Sequence, residues 1–511
     1  MRRVSWPILV LAILLLAPLL VVIIAPLHSI ATEWPFVLHE LLPSHLKETG
    51  QLLTIAVVLA VIFGTSSAWL VSAFRFPGRD LFRWALVLPL ALPTYISAIT
   101  FAALFGPTGS IRLAVGLPFD IMNLPGLALV FALVLFPYVY LPARAAFSTG
   151  MAAHLDAARM LGGGAVRRFI RVAAPLARPA IAGGAFLVAM ETLNDYGAVK
   201  YYGIHTLTAG IFRAWGGLYD VGSALRLSGL LLGLVLLLIW LEGRLRKGAL
   251  HSSAHHASER IALKGWRSVA ASMACGLLLL AGFVLPVAAI VLDAFRTADL
   301  AQLRSVLPAL GNTLFVGTIA ATLTLAVAVA MAFSERHERS RSRLVRWAGL
   351  GYAVPGAVIA LGVMALAGWI GDRTGIVLIG GIGLLAYAFT VRFLALAGQP
   401  LRAGLAQQQR SLDESARLLG ASPLRTFFSV NMPLLRPALI AAALLVLMEV
   451  VKELPLTMVL RPFDFDTLST RVFELARIEQ WPDAALPALL IVLCGLVPLV
   501  VLDRLLERST R

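Results

Sequence analysis

The sequence predicts an all-α integral membrane protein with about 12 transmembrane helices, arranged as two parallel six-span repeats. Three observations carry that prediction. Of 511 residues, 59% are hydrophobic and 14% charged, and the mean hydropathy is +0.87, which leaves too little polar surface for a soluble chain of this length. The basic residues gather in alternate loops. One basic, glycine-broken segment also occurs twice, 258 residues apart.

A span needs about 20 mostly apolar residues. That window places twelve, at 7–27, 51–74, 84–106, 124–143, 180–201, 224–241, 269–292, 312–333, 347–370, 376–398, 437–460 and 485–502. The first follows Arg2 and Arg3, but its length and its counterpart at 269–292 mark a retained helix rather than a signal peptide. Cys275 and Cys494 fall inside apolar spans and read as packing thiols rather than a disulfide or metal pair.

The charge then sets orientation. Arg75, Arg79 and Arg83 follow the second span; Arg159, Arg167, Arg168, Arg171 and Arg178 follow the fourth. Arg244, Arg246, Lys247, Arg260, Lys264 and Arg267 follow the sixth, and Arg336, Arg339, Arg341, Arg343 and Arg346 the eighth. The loops between are neutral or acidic, with Glu33, Glu40 and Glu48 near the front and Asp464, Asp466, Glu474, Glu479 and Asp483 near the end. This is the positive-inside pattern of a multi-pass protein of the cytoplasmic membrane, with both termini cytoplasmic. The formal charge of +16 therefore records topology rather than a nucleic-acid partner.

The repeat divides the chain. The segments starting at Asp156 and Glu414 are identical at twelve of 26 aligned positions. The same spacing relates Pro142 and Arg144 to Pro400 and Arg402, and Met190-Glu191 to Met448-Glu449. The first half is expected at 1–241, a cytoplasmic linker at 242–267 and the second half at 268–511. The linker holds His251, His255 and His256, which read as part of a flexible connector rather than a metal site. Each repeated segment, near 152–179 and 410–437, reads as helix–turn–helix. Asp156 suits the start of the first short helix, and Gly162-Gly163-Gly164 or Gly420 ends it. Ser422 and Pro423 restart the chain as N-cap and first helical residue, and Pro175 and Pro433 are expected to break the helix that follows. A single copy fits an amphipathic helix on the lipid surface. Two copies at equivalent places point to a shared docking task.

Asp156-Ala157-Ala158…Gly162…Val172…Pro175 resembles the EAA loop of ABC importer permeases, and Glu414-Ser415-Ala416…Gly420…Val430…Pro433 fits the same spacing. The resemblance implies a fused permease of a binding-protein-dependent type I importer. Its two loops would dock on two cytoplasmic ATP-binding subunits, and a periplasmic or lipid-anchored solute-binding protein would deliver the solute. Phe169 and Phe427 are expected as apolar anchors for that helix-in-groove contact. No phosphate-binding G-x-x-x-x-G-K-[ST] loop is present, so ATP would be bound by the partners, and the chain is expected to be a transport subunit with no cofactor of its own.

The stretches from Met190 and Met448 resemble the fused permeases of ferric-iron uptake, with relatives for thiamine, phosphonates and polyamines in the same group. Glu191 and Asp195 stand four apart, as do Glu449 and Glu453, with Lys452 beside them. That spacing puts each pair on one helix face, and intramembrane ionisable groups mark a pathway or a partner. Glu191, Asp195, Tyr196, Glu449, Lys452 and Glu453 are therefore the candidate pathway-lining residues. A hard trication would favour carboxylate oxygens and the phenols of Tyr196, Tyr201 and Tyr202. Structural pairing is the alternative: Glu449 or Glu453 with Lys452, and Asp195 with Lys200. No metal site is assigned. An ion-coupled secondary transporter also has two six-span halves, but it gives no reason for the doubled loop.

Overall fold

In hydrocarbon every backbone polar group has to be satisfied within the segment, and long apolar runs meet that condition as helices. The computed structural model describes residues 6–116, 118, 120–149, 158, 160, 164–245, 260–297, 299–337 and 349–509. Each of the twelve expected runs contains helix among the described residues, the tenth starting at Ile382 rather than at 376. Among the described residues nine helices are long and apolar enough to cross a membrane: Leu9–Leu27, Trp34–Ala73, Thr94–Val115, Phe169–Asn194, Val221–Leu245, Trp266–Thr297, Leu300–Arg336, Gly356–Thr374 and Ile382–Gln407. The fourth span is a pair, Leu124–Leu135 and Pro137–Ser148, bent by 44°, and the eleventh is Pro423–Leu434 and Arg436–Lys452, bent by 75°. The twelfth is the shorter apolar helix Trp481–Val497.

The halves share more than a span count. Leu207 N–H donates to Thr49 Oγ1 at 2.9 Å, and Leu468 N–H donates to Thr313 Oγ1 at 2.8 Å. Thr206 and Thr467 cap the helices that start there. These are one hydrogen bond and one cap built twice, as a duplicated fold requires. The halves also exchange their first spans. Span one packs on span nine so closely that a side chain at Gly362 would strike the Pro18 carbonyl, and Tyr387 donates to Leu14 O. Span seven packs back on the first half, where Ser272 Oγ donates to Pro77 O at 2.9 Å. Reciprocal contact of this kind is what a twofold relation between parallel repeats gives.

Within the first half, the second and fifth spans grip the bend of the fourth. A Cβ on Gly64 would lie 2.7 Å from Phe136 O, and one on Gly184 would lie 2.6 Å from Tyr138 O. Small residues are what let membrane helices approach this closely. A short parallel pairing, Phe74–Arg75 with Ile261–Ala262, joins the loop after span two to the residues preceding span seven. The connector bearing His251, His255 and His256 lies outside the described residues. Ahead of the sixth span, Asp220 accepts from Glu33 N–H at 2.9 Å, Ser223 N–H at 3.0 Å and Ser223 Oγ at 2.8 Å. Burial pushes its pKa up, but these donors outweigh burial and hold the carboxyl below the ordinary aspartate range.

The third and ninth spans depart from expectation. The sequence places their starts at 84 and 347, yet the membrane helices begin at Thr94 and Gly356. Pro93 and Pro355 are the reason. A proline disfavours helical geometry in the residue before it, and Leu92 is extended there (φ −90°, ψ 122°).

Candidate functional site at the helix breaks

Two more interruptions meet those at Pro93 and Pro355. The fifth span stops at Asn194 and the eleventh at Lys452; the next residues, Asp195 (φ −70°, ψ 127°) and Glu453 (φ −71°, ψ 117°), are extended. Sequence spacing put Glu191 and Asp195 on one continuous helix face. In the structure each helix ends before the second carboxylate, which lies on the break itself. All four carboxylates nevertheless line one cavity of about 70 Å³, with Tyr196 and Lys452, so the six candidate pathway residues converge. Room for one water is about 10–15 Å³ by this measure, so the cavity suits a small ion or a few waters.

Non-helical backbone inside a membrane protein requires partners for its freed groups, and two of them come from across the repeat boundary. Asn194 Oδ1 accepts Gly356 N–H at 2.8 Å, and Lys452 Nζ reaches Leu90 O at 3.5 Å. Asn194 and Lys452 are equivalent positions, so each half reaches into the break of the other. Asp195 accepts Ala198 N–H at 2.7 Å and the Thr94 hydroxyl, while Glu453 accepts Leu456 N–H at 3.1 Å. Lys452 pairs with Glu449 at 2.9 Å, the structural pairing allowed for above. Asp195 does not pair with Lys200, which is exposed; Thr94 takes that place.

Arg392 was missed by sequence reasoning. It is 5% exposed, lies 3.3 Å from Glu453 and donates to Val354 O at 3.2 Å. A lone arginine within the apolar run 376–398 was the signal. The phenols also need correction. Tyr196 lines the cavity, stacked on Phe212 at 3.7 Å. Tyr202 instead donates to Ala98 O at 3.1 Å, and neither it nor Tyr201 reaches the cavity, which takes Tyr95 and Tyr138 in their place.

In the repeated segments, Asp156, Ala157 and Gly162 lie outside the described residues. Ala158 and its counterpart Ala416 are half-buried, while Glu414 and Ser415 are exposed on the helix Arg410–Leu418. That helix ends as expected, with Gly420 at φ 81° and the Ser422 hydroxyl accepting Arg425 N–H at 3.3 Å. The aromatic anchors face the other way. Phe427 is 1% exposed and packs on Phe333, 4.9 Å between centroids, and Phe169 packs on Trp69 at 5.4 Å. They fasten the loops to their own bundle. Other apolar side chains are left open: Met160 and its equivalent Leu418 are each 89% exposed, and Leu419 beside the latter is 88% exposed. Pro175 and Pro433 also differ from expectation. Each follows a π-helical turn, Phe169–Ala173 or Phe427–Asn431, which loosens the ladder where proline lacks its N–H. The first helix runs on through Pro175 to Asn194, and the second breaks only at Leu435. Arg336 Nε, 2.8 Å from Asp413, ties the second loop's helix to span eight, and Asn431 Nδ2, 3.1 Å from the same carboxylate, ties it to the turn Phe427–Asn431.

Residues 57–246 and 322–511 each match the family described as binding-protein-dependent transport system inner membrane component. The chain belongs to that family. It is a multi-pass permease of an ABC importer, present here as two family repeats in one chain. The permease is 26% identical over 470 residues to the Fe(3+)-transport system permease protein FbpB 2 of Haemophilus influenzae, covering 90% of this chain and 89% of that one. It is 29% identical over 176 residues to the sulfate transport system permease protein CysT of Salmonella typhimurium, which covers 34% of this chain and 63% of CysT. A probable molybdenum ABC transporter permease of Haloferax volcanii is 31% identical over 191 residues, covering 36% of this permease and 70% of the relative.

Proposed function

We propose that this permease forms the pathway of a ferric-iron importer. The observation that carries this reading is the cavity's composition: four carboxylates, Glu191, Asp195, Glu449 and Glu453, against two cations, Arg392 and Lys452. That balance favours a hard cation over an oxyanion such as sulfate. The full-length likeness to an iron permease supports it, since the sulfate and molybdenum relatives match about a third of the chain.

In this reading both termini and the repeated loops are cytoplasmic. Two separate ATP-binding subunits seat on the loops near 152–179 and 410–437, at Met160 and Leu418, and their closure around ATP tips the halves about the cavity. A binding protein outside hands over the ion, and hydrolysis returns the pathway inward. ATP acts by stabilising one of two states, as any ligand with differential affinity does.

The test is radiolabelled ferric-iron uptake by iron-starved cells lacking other iron importers. The chain is deleted, then restored as wild type or as Gly162→Asp/Gly420→Asp. Uptake that returns with the wild type and not with the doubly damaged loops, at equal membrane abundance, supports the reading. Iron uptake that does not depend on the chain refutes the iron assignment, and thiamine, phosphonate and polyamine uptake are then assayed in the same strains.

A further inference from the structure

The halves line the cavity with equivalent carboxylates but not with equivalent cations. At the repeat spacing Glu449 matches Glu191 and Glu453 matches Asp195. The second half gives each of its carboxylates a partner: Lys452 for Glu449 at 2.9 Å and Arg392 for Glu453 at 3.3 Å. The first half has Asn194 where Lys452 stands and Val134 where Arg392 stands. Asn194 spends its carboxamide oxygen on Gly356 N–H, and Val134 contributes an alkyl wall. Among the described residues no lysine or arginine pairs with Glu191 or Asp195. The carboxylates without a close ion-pair partner among the described residues are thus on one wall. Carboxylates kept inside a membrane without a counter-ion belong to a pathway rather than to packing.

An independent observation lies beside them. Tyr95 follows Thr94, the residue that donates to Asp195, and lines the same cavity. It is 4% exposed, and among the described residues its hydroxyl has no hydrogen-bond partner. A buried hydroxyl without a partner is uncommon in a settled core. Here it leaves a third hard oxygen on the wall that has two carboxylates without a close ion-pair partner.

We propose that Glu191, Asp195 and the Tyr95 hydroxyl form a stepping site for a multivalent hard cation, and that Lys452 and Arg392 keep the second-half carboxylates out of it. This site rests on the cation reading above. Among the described residues no three His, Cys, Asp or Glu side chains gather as a chelating cage. Two carboxylates and a phenol hold an ion loosely, and conduction requires that an ion be able to leave. Duplication within one chain allows the arrangement, because a symmetric pair of identical subunits would carry the lysine and arginine on both walls or on neither.

The test uses the full complex in proteoliposomes, with its ATP-binding subunits and binding protein, reading radiolabelled ferric-iron uptake and ATP hydrolysis together. Glu191→Gln and Asp195→Asn, which keep shape and remove charge, are expected to slow initial uptake about tenfold. Asn194→Lys gives Glu191 the second half's counter-ion and is expected to do the same. Glu191→Asp, which keeps the charge, retains most uptake. Stimulated ATP hydrolysis stays near wild type in all four. Wild-type uptake by Glu191→Gln and Asn194→Lys overturns the site and leaves the iron reading standing. Hydrolysis that falls in step with uptake also overturns it, since that marks a structural role. No iron uptake by the wild type, with hydrolysis stimulated, refutes the cation reading and the site with it.

Discussion

Arg392→Met removes one member of the buried pair while keeping most of the side chain's volume. At 3.3 Å and an effective dielectric of about 20, the attraction it loses is about 5 kcal/mol. Part of that offsets the cost of burying both charges, so the pair is worth much less than its Coulomb energy. Removing one partner is a different perturbation. Glu453 is 5% exposed and would keep a buried charge that has lost its ion-pair partner and retains the Leu456 N–H hydrogen bond, which costs about 3–5 kcal/mol. Glu453→Gln on top of Arg392→Met removes that stranded charge, and the double variant is expected within about 1 kcal/mol of wild type. The assay is SDS-induced unfolding of the purified chain in mixed micelles, followed by tryptophan fluorescence, for both single variants and the double. If Arg392→Met and the double variant are equally destabilised, the arginine matters through packing, and the argument from a stranded carboxylate is wrong.

Phe427→Ala opens a void against Phe333 and is expected to lower stability by about 3–5 kcal/mol in the same assay, whereas Leu418→Ala changes it by less than about 0.5 kcal/mol. Leu418→Asp should instead separate ATP hydrolysis from uptake in the reconstituted complex with membrane abundance unchanged, if the loop meets its partner there. Gly184→Leu, which drives a side chain into the Tyr138 carbonyl, is expected to abolish a monodisperse chromatographic peak, while Gly183→Leu, whose Cβ would meet only the Glu242 side chain at 4.0 Å, is tolerated. Asp220→Asn tests the clamp ahead of span six. The folded pKa lies below the ordinary aspartate value of 3.8, so the carboxylate's stabilisation is fully present above about pH 4 and fades as acid protonates it. The stability gap between wild type and variant should therefore hold at neutral pH and shrink below about pH 4.

Most of the spans were legible because apolar length marks them, and the loop turn was legible because Gly420, Ser422 and Pro423 each act through local backbone chemistry. The breaks were harder to read. Pro93 and Pro355 stand inside apolar runs, and only the meeting of four interrupted helices shows that they open a polar centre. Candidate pathway residues could be found from charge, since a carboxylate in a span is conspicuous wherever it lies. Their partners could not be found that way, because Asn194 with Gly356 and Arg392 with Glu453 join positions far apart in the chain. Phe169 and Phe427 were misjudged for a related reason: an aromatic side chain near a loop reads the same whether it faces a partner or its own bundle.

The pairing of Phe74–Arg75 with Ile261–Ala262 bears on how such a protein can be divided. The docking strand lies past the connector, on the same fragment as span seven. A cut within 246–259 would leave fragment one with its acceptor edge and fragment two with its own adhesive strand. Two polypeptides co-expressed from that cut should find each other by complementation, helped by the exchange of their opening helices. A cut placed after Leu263 would hand the strand to the wrong fragment and weaken reassembly.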